Sequence, residues 1–355
     1  MTGSDLDEAK LAGYLEQHVP DFEGLESARK FSGGQSNPTY LLTAASGRYV
    51  LRRQPSGTLL KSAHAVDREF RVIRALAETD VPVPKAYHLC EDRDVLGSMF
   101  YVMEFCDGRV FWDAPLKALN KAQRGQVYEQ MVTVLAAIHS VDLEAAGLAT
   151  YGKPGSYFER QLSRWTAQYQ ASETQTIGAM DQLIDWLAAH LPADDGRVSL
   201  VHGDYRLDNL MFSPASDPVG EDYEPRVIAV LDWELSTLGH PLADLAYQCM
   251  QLRMSPAVKD LAGLGGLDRT SLGIPEEGDY VARYCELTGM GGIEHWPFYL
   301  AFSYFRLGAI LQGVAKRALD GNASGARAAR MGQYVEPLAQ MALAASQEPG
   351  RPASA

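Results

Sequence analysis

The chain has 355 residues, of which 46% are hydrophobic and 22% are charged, as is ordinary for a globular protein with two or three domain-sized units. Its formal net charge of −13 argues against a nucleic-acid-binding protein and gives little reason to expect attraction to an anionic membrane. The four cysteines are far apart and form no Cys-x-x-Cys pair, so we predict a reduced, cytoplasmic protein without a disulfide framework.

The first hundred residues predict a small, mostly antiparallel lobe. Leucines at helical spacing indicate a helix near the N-terminus, and short apolar runs separated by turn residues indicate strands. The predicted elements, in chain order, are a helix at 5–18, a turn-rich stretch at 31–40, strands at 40–43 and 49–53, a helix at 67–77, and strands at 87–90 and 99–103 joined by an acidic turn.

Two features of this lobe bear on phosphate binding. The glycines at 33 and 34 lie in the turn, where successive backbone amides can face a phosphate, although a Gly-Gly pair is more often an ordinary hairpin turn. The stretch does not match Gly-x-x-x-x-Gly-Lys-Ser/Thr, which disfavours a P-loop enzyme. Side chains alternate along a strand, so Arg52 can point inward while Arg53 is solvated, and an inward Arg52 could meet Glu69 on the next helix.

The chain changes character after residue 103 and becomes mainly helical. Helical spacing predicts helices at 121–140, with Asn120 as N-cap, at 157–168 and at 179–190. The apolar stretch 298–319 is interrupted by Arg306, Lys316 and Arg317, so it predicts a buried amphipathic helix rather than a membrane span. The predicted organisation is an N-terminal lobe at 1–103, a hinge at 104–108, a C-terminal lobe at 109–346 and a disordered tail at 347–355.

A polar loop between two short apolar runs carries the strongest functional signal. His202-Gly203-Asp204 follows directly after the run 198–201, and a second run begins after Asn209. Farther along, Asp232 follows directly after the run 227–231 in the same way. Phosphoryl transfer needs these parts, namely an acid to orient a hydroxyl group and oxygen ligands for magnesium. The sequence therefore predicts an ATP-dependent kinase that acts on a small molecule.

The motifs around this loop are similar to those of the aminoglycoside phosphotransferase family, a branch of the protein-kinase-like fold. They are His202-Gly-Asp-x-x-x-x-Asn209, Leu231-Asp-Trp-Glu234 and Leu242-Ala-Asp-Leu-Ala246, and the resemblance spans residues 30–340. The chain most resembles the phosphotransferase domains fused to acyl-CoA dehydrogenases, through its segments 49–55, 62–69 and 231–239. The resemblance implies an α+β, two-lobed fold, with a small antiparallel N-terminal lobe that binds nucleotide and a larger, mainly helical catalytic lobe.

The same resemblance implies roles for the residues of the polar loop and its neighbour. Asp204 would orient the substrate hydroxyl and accept its proton late in transfer, while Asn209 and Asp232 would bind Mg²⁺. Arg206 would either contact the transferring phosphate or form a salt bridge to an acid, and the sequence favours neither. Asp244 would fix the backbone of the loop.

The resemblance also implies an ATP site in the N-terminal lobe. Arg52, paired with Glu69, would bind the α- and β-phosphates, because a guanidinium stays charged and can bind phosphate through two hydrogen bonds. Contacts to the phosphates are implied for Ser32, Gly33, Gly34, Gln35, Ser36 and Asn37. Contacts to adenine are implied for Met103, Glu104, Phe105 and Cys106. The implied cofactors are ATP and Mg²⁺.

The acceptor is less well defined. The likeness favours a hydroxy acid or hydroxyacyl-CoA, and an aminoglycoside or amino alcohol comes second, because the tail at 350–355 lacks the acidic residues that aminoglycoside-modifying members place there. His240 stands where relatives often carry an acid, and the sequence does not explain it. A nucleotide-binding pseudokinase scaffold is the alternative from another class, disfavoured because Asp204, Asn209 and Asp232 are all present. We predict a small-molecule partner, with no nucleic acid and no membrane, and no particular oligomeric state.

Overall fold

The structure is a computed structural model of the protein and describes residues 6–31, 37–55, 65–153, 155–258, 261–320, 328 and 330–349. The chain divides into two compact units, and each is assembled from separate stretches of sequence. The first unit comprises Met1–Trp112, Val141–Ala149 and Leu207–Ser236, and the second comprises Asp113–Ser140, Thr150–Arg206 and Thr237–Ala355.

A five-stranded antiparallel sheet dominates the first unit, and its strand order is β1-β2-β3-β5-β4. Its strands are β1 Leu25–Lys30, β2 Thr39–Ala44, β3 Gly47–Arg53, β4 Ala86–Cys90 and β5 Phe100–Glu104. Its helices are α1 Glu8–His18, α2 Val66–Leu76 and the short α3 Arg93–Leu96, which forms within the predicted acidic turn. Buried and partly exposed positions alternate strictly along β2, as expected for a strand with one face on the core. Four of the strands and both longer helices follow the prediction, whereas β1 was not predicted.

A three-stranded sheet completes the first unit. It pairs β6 (Arg109–Val110) with β8 (Leu210–Phe212), and β8 with β9 (Val227–Val230), all antiparallel. Residues 213–226 connect β8 to β9 as a hairpin.

The second unit is mainly helical. Its helices are α4 Lys121–His139, α5 Tyr157–Ala171, α6 Gly178–Ala189, α7 Leu242–Leu252, α8 Arg269–Leu272, α9 Glu277–Thr288, α10 Trp296–Leu319 and α11 Val335–Ser346. The predicted cap of α4 is present as a capping box, in which Asn120 and Gln123 each accept the other's backbone N–H at 3.0 Å. Such a cap typically contributes about 1 kcal/mol.

Helix α10 forms the centre of the second unit. Among the described residues it alone is long and apolar enough to cross a membrane, but 89% of its apolar window is buried inside the protein. It packs against α5, α7 and α11, so it is a core helix, as predicted.

The two apolar runs beside the polar loop both form strands, but they belong to different sheets. In the second unit, β7 (Ser199–Val201) pairs with β10 (Thr237–Gly239), a strand that the sequence did not predict. In the first unit, β8 pairs with β6 and β9. The loop that joins β7 to β8 therefore passes from one unit into the other.

Candidate active site

In the first unit, Arg52 on β3 pairs with three carboxylates. Its Nε lies 2.8 Å from Glu69 Oε2, and its Nη2 lies 2.6 Å from Asp232 Oδ1 and 3.5 Å from Glu234 Oε2. Glu69 is positioned by α2, as predicted, whereas the part of Glu234 was not foreseen. Arg53 was expected to be solvated, but only 6% of it is exposed, because both faces of β3 are covered in this region.

This cluster carries more negative than positive charge. One guanidinium among three carboxylates leaves a formal charge of −2, from +1 and −3. Burial raises the pKa of Glu69 to about 7; Arg52 opposes this rise, and Asp232 and Glu234 add to it. A set of acids with this excess charge is suited to accept a further cation.

Asp232 and Asn209 are held close to each other by the backbone. The N–H of Leu231 donates to the carbonyl of Asn209 at 2.9 Å, immediately before Asp232. Asp232 itself has a left-handed conformation, with φ 65°, and the fully buried Trp233 anchors the next position. A left-handed backbone is tolerated best by Gly, Asn and Asp, which accounts for an acidic residue rather than a bulkier one here.

The donor set fits a magnesium ion that arrives with phosphate ligands. No group of three or more His, Cys, Asp or Glu side chains in the described part of the chain has the arrangement of a metal site. Mg²⁺ commonly uses only one or two carboxylates and completes its octahedron with waters and substrate phosphates. Asp232 and Asn209 could supply such a partial set.

Asn37 adjoins the Arg52 cluster, since its Nδ2 donates to Glu234 Oε2 at 3.2 Å. The other predicted phosphate contacts, Ser32, Gly33, Gly34, Gln35 and Ser36, lie outside the described residues.

The predicted adenine stretch begins within β5. Met103 is buried and pairs with Val50, and Glu104 is the last residue of the strand and pairs with Tyr49. Phe105 lies under the guanidinium of Arg48, 4.3 Å from the centre of its ring. Burial raises the pKa of the Cys106 thiol to about 11, so this cysteine is an inert thiol at neutral pH.

In the second unit, Asp244 fixes the start of the polar loop. Its two carboxylate oxygens accept the backbone N–H groups of His202 at 2.6 Å and Gly203 at 2.8 Å. His139 lies 3.3 Å from the same carboxylate. Burial alone would raise the pKa of Asp244, but these hydrogen bonds hold it below its ordinary value. A buried, ionised Asp244 therefore fixes the loop, as the sequence predicted.

Asp204 follows directly in this fixed segment. Its backbone N–H donates to Nδ1 of the buried His202 at 3.2 Å, which keeps that ring in a structural role. The Nε of Arg206 lies 3.4 Å from Asp204 Oδ2, so the structure brings Arg206 to an acid, and that acid is the predicted base.

Three further side chains were not assigned a role from the sequence. Tyr247 on α7 hydrogen-bonds to Asp204, and Arg306 on α10 donates to the carbonyl of Gly203 at 2.6 Å. A signal for Arg306 was available, because a charge within an apolar helix requires a partner when it is buried. His240 packs on Phe158 and Tyr299 and lies 3.3 Å from Asp195, so it is part of a buried aromatic cluster.

Known proteins share sequence similarity with most of this chain. The sequence profile of the Phosphotransferase enzyme family matches residues 27–273. The chain is 47% identical to mouse acyl-CoA dehydrogenase family member 10 over 338 residues, which is 95% of this chain and 30% of that protein. It spans less than half the length of the curated relatives that it matches, 43% for the human family member 11.

Solved structures are similar to this chain as well. The crystal structure of a protein from Ralstonia eutropha JMP134, provisionally named an aminoglycoside phosphotransferase, superposes with a TM-score of 0.86 at 48% identity, covering 98% of this chain and all of that one. Aminoglycoside phosphotransferase APH(4)-Ia with AMP-PNP and hygromycin B superposes at 0.60 and 16% identity, covering 96% and 99% of the two chains, which confirms the predicted kinase-like fold.

Proposed function

We propose that this chain, which belongs to the phosphotransferase enzyme family and is a small-molecule kinase, transfers the γ-phosphoryl group of ATP. The proposed acceptor is the hydroxyl of a hydroxy acid or hydroxyacyl-CoA. This acceptor class is proposed because nearly the whole chain is similar to a part of proteins named acyl-CoA dehydrogenases. A kinase that forms one part of such a protein most simply acts on the same kind of thioester, or on its free acid. This inference from relatives concerns the acceptor alone.

Asp204 is the proposed base. Its carboxylate orients the acceptor hydroxyl and takes its proton as the oxygen bonds to the γ-phosphorus. The bond from that phosphorus to the β–γ bridging oxygen breaks, and ADP leaves with the electron pair. The backbone clamp on His202 and Gly203 supports this role, because a fixed loop holds the carboxylate in one orientation.

Arg52 is the proposed contact to the α- and β-phosphates, with Glu69 orienting its guanidinium. Asn209 and Asp232 would hold Mg²⁺, which neutralises charge on the phosphates when it is bound. Arg52 also contacts Asp232, so the proposed phosphate contact and the proposed metal ligand adjoin each other. Met103, Glu104, Phe105 and Cys106 are proposed to bind adenine, and Arg206 to contact the transferring phosphate.

The acceptor proposal is tested by ADP release with Mg-ATP and a panel of acceptors. The panel contains hydroxy acids, their CoA thioesters, amino alcohols and aminoglycosides. We expect the hydroxy acids or their thioesters to give the highest kcat/KM. Preference for an aminoglycoside or amino alcohol would overturn the acceptor class, and tight ATP binding without turnover of any acceptor would indicate a pseudokinase scaffold.

The assignment of Asp204 is tested by Asp204→Asn, which preserves shape and removes the base. We expect phosphoryl transfer to fall by about 10³-fold or more, since general base catalysis and hydroxyl orientation are lost together. The Kd for Mg-ATP should stay within a few-fold of that of the wild type. Retained turnover would remove Asp204 from the mechanism.

A further inference from the structure

Arg306 is a buried cation in the middle of α10, the long core helix of the second unit. Only 8% of the residue is exposed, and its neighbours along α10 are aromatic and aliphatic. A buried guanidinium is costly unless its donors are satisfied and its charge is stabilised. The contacts of Arg306 therefore show what stabilises its buried charge.

The guanidinium of Arg306 donates to the backbone carbonyl of Gly203 at 2.6 Å. That carbonyl shares a peptide plane with the N–H of Asp204, which donates to His202 at 3.2 Å. The peptide unit that carries Asp204 is thus held on one side by Arg306 and on the other by His202. Gly203 has φ 86°, a left-handed conformation that glycine adopts without the strain that a side chain would bring.

A second connection runs from Arg306 to the side chain of Asp204. The guanidinium carbon lies 5.1 Å from the centre of the Tyr247 ring and 5.7 Å from that of Trp165, within the range of cation–π attraction. Tyr247 in turn hydrogen-bonds to Asp204, and burial together with the Asp204 carboxylate raises the pKa of its hydroxyl. Tyr247 therefore stays protonated at neutral pH and donates to the carboxylate.

We infer that Arg306 and Tyr247 form a positioning pair for phosphoryl transfer, in which Arg306 fixes the backbone of Asp204 and Tyr247 fixes its carboxylate. Both residues act through Asp204 rather than on ATP or the acceptor. The sequence marks Arg306 as a charge within an apolar helix, but it reveals the contacts of neither residue, because α7 and α10 lie far along the chain from the loop. The inference rests on the proposed role of Asp204 as the base.

The test compares Arg306→Lys with Arg317→Lys, a matched change at an exposed position of the same helix. Turnover is measured with Mg-ATP and 3-hydroxybutanoyl-CoA, and with Mg-ATP and water as a second acceptor. Lysine keeps the charge but loses the planar, forked guanidinium. We expect kcat to fall by about 10- to 100-fold, because small misplacements of a reacting group have effects of this size. The Kd for Mg-ATP should stay within about twofold, and Arg317→Lys should behave as the wild type.

Two further variants separate positioning from folding. In Arg306→Ala, added guanidinium ion should restore part of kcat, and Tyr247→Phe should lower kcat without changing nucleotide affinity. Wild-type kcat in both Arg306→Lys and Tyr247→Phe would overturn the inference. So would a loss of nucleotide binding in parallel with kcat and without rescue, which would mark a purely structural role. If the wild type itself transfers phosphate to neither acceptor, the proposed function fails for these acceptors, an outcome distinct from insensitive variants of an active enzyme.

Discussion

At the scale of single residues, Arg52 partly neutralises the three carboxylates that it contacts in the first unit. Strand alternation and the spacing to α2 were sufficient to predict its pairing with Glu69, because both are local properties of β3 and the next helix. The contacts of Arg52 to Asp232 and Glu234 join residues 180 and 182 positions apart in sequence. Such contacts depend on how the chain folds back, which short-range patterns do not encode. The same limit applies to Arg306 and Gly203, which are 103 positions apart.

The excess of carboxylates around Arg52 predicts a pH-dependent stability. Since burial raises the pKa of Glu69 from 4.5 to about 7, the folded state binds this proton more tightly than the unfolded state does. The resulting stabilisation is complete below pH 4.5 and is lost as the pH rises to about 7. In nucleotide-free, magnesium-free buffer, urea unfolding from pH 5 to 8 should therefore show the wild type losing stability relative to Glu69→Gln, which does not titrate. Glu26→Gln, at an exposed position of β1, is the control. A constant difference across this pH range would show that Glu69 stays ionised throughout.

At the scale of elements, the long helices were predicted to within a few residues because each carries several turns of apolar periodicity. The strands that were missed are short or weakly patterned. In β1 only one of the six residues is buried, so the strand lacks an alternating apolar face, and β6 and β10 have two and three residues. These strands form because a partner strand supplies hydrogen bonds, which is tertiary rather than local information.

A bidentate ion pair ties together four helices of the second unit and makes a test at this scale. Arg253 at the end of α7 contacts Glu277 on α9 at 2.6 and 2.7 Å, and Trp296 at the start of α10 donates to Glu277 at 3.1 Å. Arg253 also binds Glu348, just beyond α11, at 2.6 Å. Glu277→Ala would leave a largely buried guanidinium with one partner fewer, so the free energy of unfolding should fall by about 3 kcal/mol.

The matched control is Glu286→Ala on the same helix, where the side chain is 70% exposed in its pair with Arg283. Its effect on urea unfolding should be small. Equal effects of the two substitutions would show that the buried pair contributes no more than a surface one.

At the scale of the whole molecule, the sequence predicted one mostly antiparallel lobe and one mainly helical lobe, but not which stretches of the chain make up each unit. A boundary at residues 104–108 assumes that each body is continuous in sequence. The first unit instead includes 207–236, which brings Asn209 and Asp232 into the same unit as Arg52 and Glu69. The chain passes from the second unit to the first after Arg206, within the loop that the motifs define, and no change in composition marks this point. The residues of the proposed ATP site were predicted from motif spacing, which does not depend on unit boundaries.

Because Asp232 lies in the same unit as Arg52 and Glu69, we predict that magnesium and nucleotide together stabilise the protein through Asp232. A ligand that binds only the folded state at one hundred times its Kd adds about 2.7 kcal/mol to the free energy of unfolding. We expect AMP-PNP with Mg²⁺ to raise the Tm in a thermal unfolding experiment, and EDTA to remove most of the increase. Asp232→Asn should lose the magnesium-dependent part while it retains the fold, because asparagine tolerates the left-handed backbone at φ 65°. The same Tm increase in Asp232→Asn and wild type would exclude Asp232 as a metal ligand. A fall in Tm for the ligand-free variant would indicate instead that Asp232 is needed chiefly as the partner of Arg52.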